Sequence, residues 1–317
     1  MTPARAGGLS GLGLWLVGLA ALVSGVSTFV NFYAVQGTNS DAFVTVRNLV
    51  TALLLLPIAL LGTRVAAPSL GRRQWAGLLV VGLVGGAIPF LLFFQGLQMA
   101  AQAGGAATAT FAYRCLFLVA TIFGLVFLRE RFRWRVTVAA GLLLAGNLLL
   151  LSLVYPIWTD GTAYVLAATL LWAGEYTLSR RLLRDLPSGT VALGRVGFGA
   201  VFLVAYLGLT AQFASVGRLS GAQWEWLLIS AVLLTAFVGV WYAGLKRVEV
   251  GVATSLLVLG FPITFVLEAL FASVPFTVAQ LAGVVVLAAG AGVAVGRAGV
   301  RDAWEYVGRV FRPRPTV

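Results

Sequence analysis

Long apolar runs, interrupted at short intervals by turn-forming residues and small clusters of arginine, set the pattern of this chain. A helix crosses the hydrocarbon core of a bilayer with about 20 mostly apolar residues. Ten runs reach that length, at residues 12–35, 42–62, 75–97, 104–128, 135–155, 161–182, 189–213, 224–245, 250–272 and 278–296. The breaks between them carry turn signals: Gly37-Thr38-Asn39-Ser40-Asp41, Ala67-Pro68-Ser69, Tyr155-Pro156, Leu186-Pro187-Ser188 and Val274-Pro275. The pattern predicts an all-α integral membrane protein of ten transmembrane helices. The first run is longer than the apolar core of a secretion signal, about 7–15 residues, and reads as an uncleaved span.

Composition agrees. Hydrophobic residues make up 60% of the chain and charged residues 10%, against roughly 25% charged in soluble domains. A bilayer solvates such a surface; water does not. The net charge of +12 does not point to nucleic acid, because the basic residues sit in clusters between apolar runs. Of the 22 Lys and Arg, 18 fall in one set of alternating loops and the tail: Arg5, Arg64, Arg72, Arg73, Arg129, Arg131, Arg133, Arg135, Arg180, Arg181, Arg184, Lys246, Arg247, Arg297, Arg301, Arg309, Arg312 and Arg314. The other set holds Arg218 alone. Basic loops stay in the cytoplasm, so both termini are expected there, in a multi-pass protein of the cytoplasmic membrane with an even number of spans. The tail, 298–317, reads either as an interfacial helix on anionic lipid or as a solvated basic segment.

The two halves echo each other. Leu19-Ala20-Ala21 returns as Leu166-Ala167-Ala168, Arg47 as Arg195, Phe94-Gln95-Gly96-Leu97 as Tyr242-Ala243-Gly244-Leu245, and Gly105-Ala106-Ala107-Thr108 as Gly251-Val252-Ala253-Thr254, at offsets of 146 to 148 residues. Two repeats follow, 1–156 and 157–297. Five spans per repeat is an odd number, so the second copy enters the membrane inverted. Inverted repeats suit alternating access to a site near the midplane.

At several of these places the chain resembles the EamA-type branch of the drug/metabolite transporter superfamily. The resemblance rests on Ala42-Phe43-Val44-Thr45-Val46-Arg47 in span 2 and on Phe127-Leu128-Arg129-Glu130-Arg131 closing span 4, followed by Gly141. It continues through Trp172 to Arg180, Trp241-Tyr242-Ala243-Gly244-Leu245-Lys246-Arg247-Val248 ending span 8, and Pro262 in span 9. It covers residues 12 to 297. It implies transport of small metabolites such as amino acids through a cavity lined by spans 1, 3, 4, 6, 8 and 9. Two departures stand out. Tyr113-Arg114-Cys115 occupies the place of a span 4 proline found in many relatives, and Val274 stands where an acid is expected near the end of span 9.

Five ionisable residues fall within spans clear of their end residues: Arg47, Arg114, Glu175, Arg195 and Glu268. Each costs about 2.5–3.5 kcal/mol at a helix centre, so each calls for a partner, water or a function. Arg47 and Arg195 hold equivalent repeat positions near helix ends and read as structural, snorkelling or binding carbonyls. Arg114 and Glu175 sit mid-span, with two compatible readings. They pair with each other, or they serve a solute: Arg114 clamps a carboxylate or phosphate, and Glu175 binds a cation or carries a coupling proton. Glu268 is a further candidate, or Arg114's partner. Asn31, Gln95, Tyr113, Trp172, Tyr176, Trp241 and Tyr242 complete the candidate wall, though Trp and Tyr near span ends also serve as interface anchors. Gly82/Gly86 and Gly292/Gly296 suit close helix packing, within one chain or in a homodimer.

Nothing calls for a cofactor. The chain has no histidine and one cysteine, Cys115, and no Walker-type phosphate loop. A membrane-embedded enzyme would have to work from Glu175, Glu268 or Cys115 with no visible nucleophile–base pair. A non-transporting sensory or lipid-interacting protein would show a soluble domain or long loop. The function expected is a secondary transporter that exports a small polar solute, coupled to a proton or another ion or running as a uniporter, as a monomer or homodimer.

Overall fold

The structure, a computed structural model, describes residues 10–34, 37–63, 70–132, 134–152, 156–271 and 277–310. Arg5, Arg64, Arg133, Arg312 and Arg314, the Ala67-Pro68-Ser69 turn, Tyr155 and the Val274-Pro275 turn lie outside the described residues.

The described residues are almost wholly helical. In order come α1 (Gly11–Ala34), α2 (Ser40–Thr63), α3 (Arg72–Val81), a π-helical turn (Gly82–Ala87) and α4 (Ile88–Gln102). Then follow α5 (Ala106–Arg114), α6 (Leu116–Phe127), α7 (Trp134–Leu151), α8 (Asp160–Leu182) and α9 (Ser188–Leu209). Last are α10 (Gly221–Leu245), α11 (Val250–Leu257), α12 (Gly260–Phe271) and α13 (Val278–Val310). Nine of the spans they form are long and apolar enough to cross a membrane. The remaining long helix, α8, has 23 residues but carries Asp160, Glu175, Arg180 and Arg181. Its face is buried against neighbours rather than offered to lipid: Val165, Ala168, Trp172, Ala173, Glu175 and Tyr176 are all buried.

Two runs read as single spans are each two helices end to end. The fourth span turns at Cys115 (φ −75°, ψ 2°), between α5 and α6. The ninth is interrupted at Val258 and Leu259, between α11 and α12. Pro262 accounts for the second break, since it has no N–H for the carbonyl of Val258; the N–H of Phe261 takes that carbonyl at 3.0 Å. The fourth span breaks a few residues from the corresponding place, without a proline. The third span contains the π-helical turn, and here too a proline supplies the cause. Pro89 cannot donate to Gly85, and the freed carbonyl accepts the indole N–H of Trp172 at 3.1 Å. The next carbonyl, of Gly86, accepts the Asn48 amide at 3.1 Å.

The last helix outruns its predicted span. It bends at Gly296, which has φ 72°, a left-handed value that favours glycine. Beyond the bend it continues as a helix to Val310. The segment docks on α1, where the Trp15 indole donates to the Ala303 carbonyl at 2.9 Å. Residues 297–310 of the tail are thus helical.

Packing pairs the two halves helix by helix. The main contacts join α1 with α10, α4 with α8, α2 with α9, α7 with α13, and α6 with α11. Counted by whole spans, swapping the halves maps this set onto itself: the first pair exchanges with the second, and each of the others joins a span to its own counterpart, α6 with α11 joining the fourth to the ninth. Matching helices run in opposite directions. In α2 and α9, Asp41 lies by Tyr206 and Ala59 by Gly189. In α7 and α13, Leu142 lies by Gly290, Gly146 by Leu287 and Leu150 by Gly283. The tightest crossing puts Gly86 against Gly199 and the Arg195 backbone, where an added Cβ on Gly86 would stand 2.1 Å from the Arg195 carbonyl oxygen. The glycine pair read as a packing motif, Gly82/Gly86, therefore packs within the chain.

Candidate functional site

The centre of the bundle is built on Glu175. Its side chain, on α8, is fully buried and folds against Gly85, where any Cβ would clash with it. One carboxylate oxygen, Oε1, accepts the hydroxyls of Ser179, one helical turn on, and of Tyr242, on α10, each at 2.5 Å. The other, Oε2, faces Nε of Arg195, on α9, at 3.5 Å. Three helices and the π-helical turn thus meet on one carboxylate. The glycine turn makes the room, and Trp172 and Asn48 hold its carbonyls.

Arg47 and Arg195 depart from their expected placement. Neither side chain snorkels: both residues are 2% exposed and turned inward. Arg195 stands over Phe90 at 5.6 Å and Arg47 over the same ring at 4.8 Å. Arg47 is also within 5.9 Å of Phe43 and 5.7 Å of Phe94. Cation–π attraction of this kind reaches about 2 kcal/mol when desolvated, and it holds two like charges near one another. The physical reason for inward placement is direct: Glu175 offers Arg195 a buried counter-charge, which the interface does not.

The same geometry replaces the expected pairing of Glu175 with Arg114. Arg114 closes α5 at the break in the fourth span and is 8% exposed. Its guanidinium stacks over Phe261, on α12, at 4.3 Å. Its Nε and Nη1 make no hydrogen bond among the described residues. Glu268, half-buried on α12, is within electrostatic reach, but the two form no ion pair among the described residues.

Aromatic rings fill the space between these charges. Trp172 meets Phe90 at 5.4 Å, Phe93 at 5.4 Å and Tyr113 at 5.6 Å; Tyr113 meets Phe93 at 4.9 Å and Phe261 at 5.9 Å. Tyr113 thereby shares Phe261 with the Arg114 guanidinium. Tyr176 packs on Trp241 at 4.7 Å beside this group.

Of the residues singled out from the sequence, Arg114, Glu175, Tyr113, Tyr176, Trp172 and Trp241 converge here. Two do not. Asn31 accepts the Ser230 hydroxyl at 2.5 Å and donates to Ser27, tying α1 to α10. Gln95 donates to both oxygens of Asp41 at 3.2 Å and lies 3.4 Å from the Tyr206 hydroxyl, at the end of the bundle away from the arginine-rich connections. Tyr242 reads from sequence either as part of the candidate wall or, near its span end, as an interface anchor. It is fully buried and bonded to Glu175. Ser179, four residues past Glu175 on the same face, was discernible only once Glu175 was known to point inward.

At the arginine-rich end a second carboxylate ties the halves together. Glu130, between α6 and α7, accepts the Val250 N–H at 2.8 Å and so caps α11. Burial raises its carboxyl above the ordinary glutamate value and outweighs that amide; the neighbouring Glu249 raises it further, and Arg180 opposes. Nearby, Arg180 donates to the Lys246 carbonyl, and Lys246 to that of Leu186 at 2.9 Å. A cavity of about 200 Å³ borders Glu130, Thr121 and Val252. Another, of about 230 Å³, lies between Leu14, Trp15 and Trp304. Neither borders the central arginines.

Comparison with known proteins adds the family. The EamA-like transporter family matches residues 11–152 and 160–296. No curated protein matches the chain. One solved protein, described as "Crystal structure of protein", superposes with a TM-score of 0.73 over 90% of this chain and 98% of its own, at 18% identity. That likeness is one of fold.

Proposed function

Taking as premise that the chain belongs to the EamA-like transporter family, we propose that it is a secondary transporter moving a small polar organic solute, an amino acid or similar, by alternating access. The solute leaves the cell, and a proton or ion gradient drives it. On this reading the protein crosses the cytoplasmic membrane ten times, α8 included, with both termini in the cytoplasm. Its halves are inverted relative to each other.

The observation that carries the reading is the pair of matched breaks, at Cys115 and at Val258–Leu259, flanking a buried cluster of charge. Interrupted spans that face each other at mid-depth are the means by which inverted-repeat transporters frame a solute site. The antiparallel run of α2 against α9 and of α7 against α13 supports the inversion, and the self-mapping set of helix pairs supports the two-fold relation of the halves. Glu175, Arg195 and Tyr242 tie three helices of the second half together, and Glu175 packs against Gly85 of the first, a centre able to repack as one half moves against the other. Arg47 completes this scaffold; Tyr113, Trp172, Tyr176 and Trp241 wall the site; Arg114 and Glu268 line it. Asn31 and Gln95 join helices nearer its rim.

Purified protein in liposomes, loaded with a panel of labelled metabolites, tests the reading. Efflux of at least one solute, altered by an imposed pH or ion gradient, is the expected result. Absence of flux for every solute overturns it.

A further inference from the structure

Three arginines are buried within the spans, and their acids do not balance them. Glu175 answers Arg195. Arg47 is enclosed by Phe43, Phe90 and Phe94 and its own neighbour Asn48. Arg114 has one ring, Phe261, and lies at the carboxyl end of the half-helix α5, whose free carbonyls favour a cation. These contacts stabilise the charge but leave N–H donors empty: Nε and Nη1 are both buried without a hydrogen bond among the described residues. Native proteins seldom leave buried donors unmade, since each costs about 1–3 kcal/mol and more when charged. A guanidinium presents a planar fork matched to a carboxylate.

We infer that Arg114 is the anchor for a carboxylate group of the transported solute, a small organic monocarboxylate whose body lies against Tyr113, Phe261 and Trp172. This rests on the transporter reading and adds the chemical class. A single carboxylate is favoured over a phosphate dianion by the local charge. One free guanidinium stands there, with Glu268 in electrostatic reach, and a second negative charge would meet only that acid. Aromatic faces at 4.9 to 5.9 Å spacing around Tyr113 suit an apolar or flat body. The Tyr113 hydroxyl makes no hydrogen bond among the described residues, so it is available as a further donor.

The test is binding to the purified full-length protein, read as the shift in thermal unfolding midpoint. The probes are isovalerate, phenylacetate and leucine, each beside its amide, with phenyl phosphate and phenethylamine. At least one carboxylate should raise the midpoint while its amide does not. Arg114→Gln should weaken that binding by about 30-fold or more, and Arg114→Lys, which keeps the charge but not the fork, should retain part of it. Should Arg114→Gln fail to fold, the Lys variant carries the comparison. An amide or amine that stabilises as well as its carboxylate overturns the assignment. So does a preference for phenyl phosphate, unchanged binding in the variants, or no response to any carboxylate. Flux without carboxylate binding would sink the anchor and leave the transporter; carboxylate binding without flux of any solute would do the reverse.

Discussion

Replacing Glu175 by Gln leaves an amide of nearly the same shape and removes one buried negative charge. An oxygen remains to accept from Ser179 and Tyr242, so the substitution isolates the ion pair. In the wild type Oε2 is 3.5 Å from Arg195 Nε, with both side chains no more than 3% exposed. Without the carboxylate, Arg195 is an uncompensated cation and shares Phe90 with Arg47. Breaking a buried pair by removing one partner costs about 3–5 kcal/mol. Replacing both partners by neutral groups is far cheaper, because no charge is left behind. The expectation is a loss of about 3–5 kcal/mol for Glu175→Gln, a similar loss for Arg195→Met, and a double variant much more stable than the sum. The assay is equilibrium unfolding in mixed detergent and SDS, run as a double-mutant cycle. A coupling energy of about 2–4 kcal/mol is expected. A value below about 0.5 kcal/mol, the scatter of independent sites, would show that the pair contributes nothing and that Glu175 is not the hub described.

Trp172→Phe keeps the ring packing but strips the donor from the Gly85 carbonyl; a loss of about 1–3 kcal/mol is expected in the same unfolding assay, and an unchanged value would mean that water serves as well. Gly86→Ala forces a methyl to within 2.1 Å of the Arg195 carbonyl oxygen and should cost at least about 1–3 kcal/mol. Gly18→Ala, with nothing within 4 Å of its Cβ, should stay within about 0.5 kcal/mol; equal effects at the two glycines would refute the close crossing. Glu130 yields a pH dependence with a definite sign. Its folded-state carboxyl is raised above the ordinary 4.5 by burial, so folding favours the protonated form. Its contribution is fully present below 4.5 and is lost as pH rises through the raised value. Unfolding midpoints measured across that window should therefore fall with pH in the wild type and fall less in Glu130→Gln. Parallel slopes would count against it.

Much of the fold was legible because lipid imposes a crude rule. Apolar runs of sufficient length and arginine clusters between them are one-dimensional signals, and the helix order follows from them. The 148-residue offset of Arg47 and Arg195 likewise marked the repeat. What the two arginines do was not legible. Their partners are set by which way α8 and α9 face, and an apolar run buried on several sides has no period that tells one face from another. Glu175 could be assigned to Arg114 or to Arg195 on spacing alone; the three-dimensional crossing at Gly86 and Gly199 decides it. The π-helical turn had a visible cause in Pro89 after a glycine run, yet its consequence, a carbonyl aimed at Trp172, needs the neighbouring helix. Tyr242, open to two readings, is decided by its neighbours. Tyrosine near a span end is an anchor in most membrane proteins, and only the carboxylate across the bundle makes this one an exception.

The break in the fourth span has a practical side. Cys115 is the single cysteine of the chain, it sits at the turn between α5 and α6 beside Arg114, and it is partly accessible. The protein therefore arrives with one native chemical handle at this break and needs no engineered background. A membrane-impermeant thiol reagent applied from one face and then the other reads which side the centre opens toward. Protection from that reagent by a bound solute reads occupancy. A helix break that ordinarily has to be reached with an introduced label is here marked by its own chemistry.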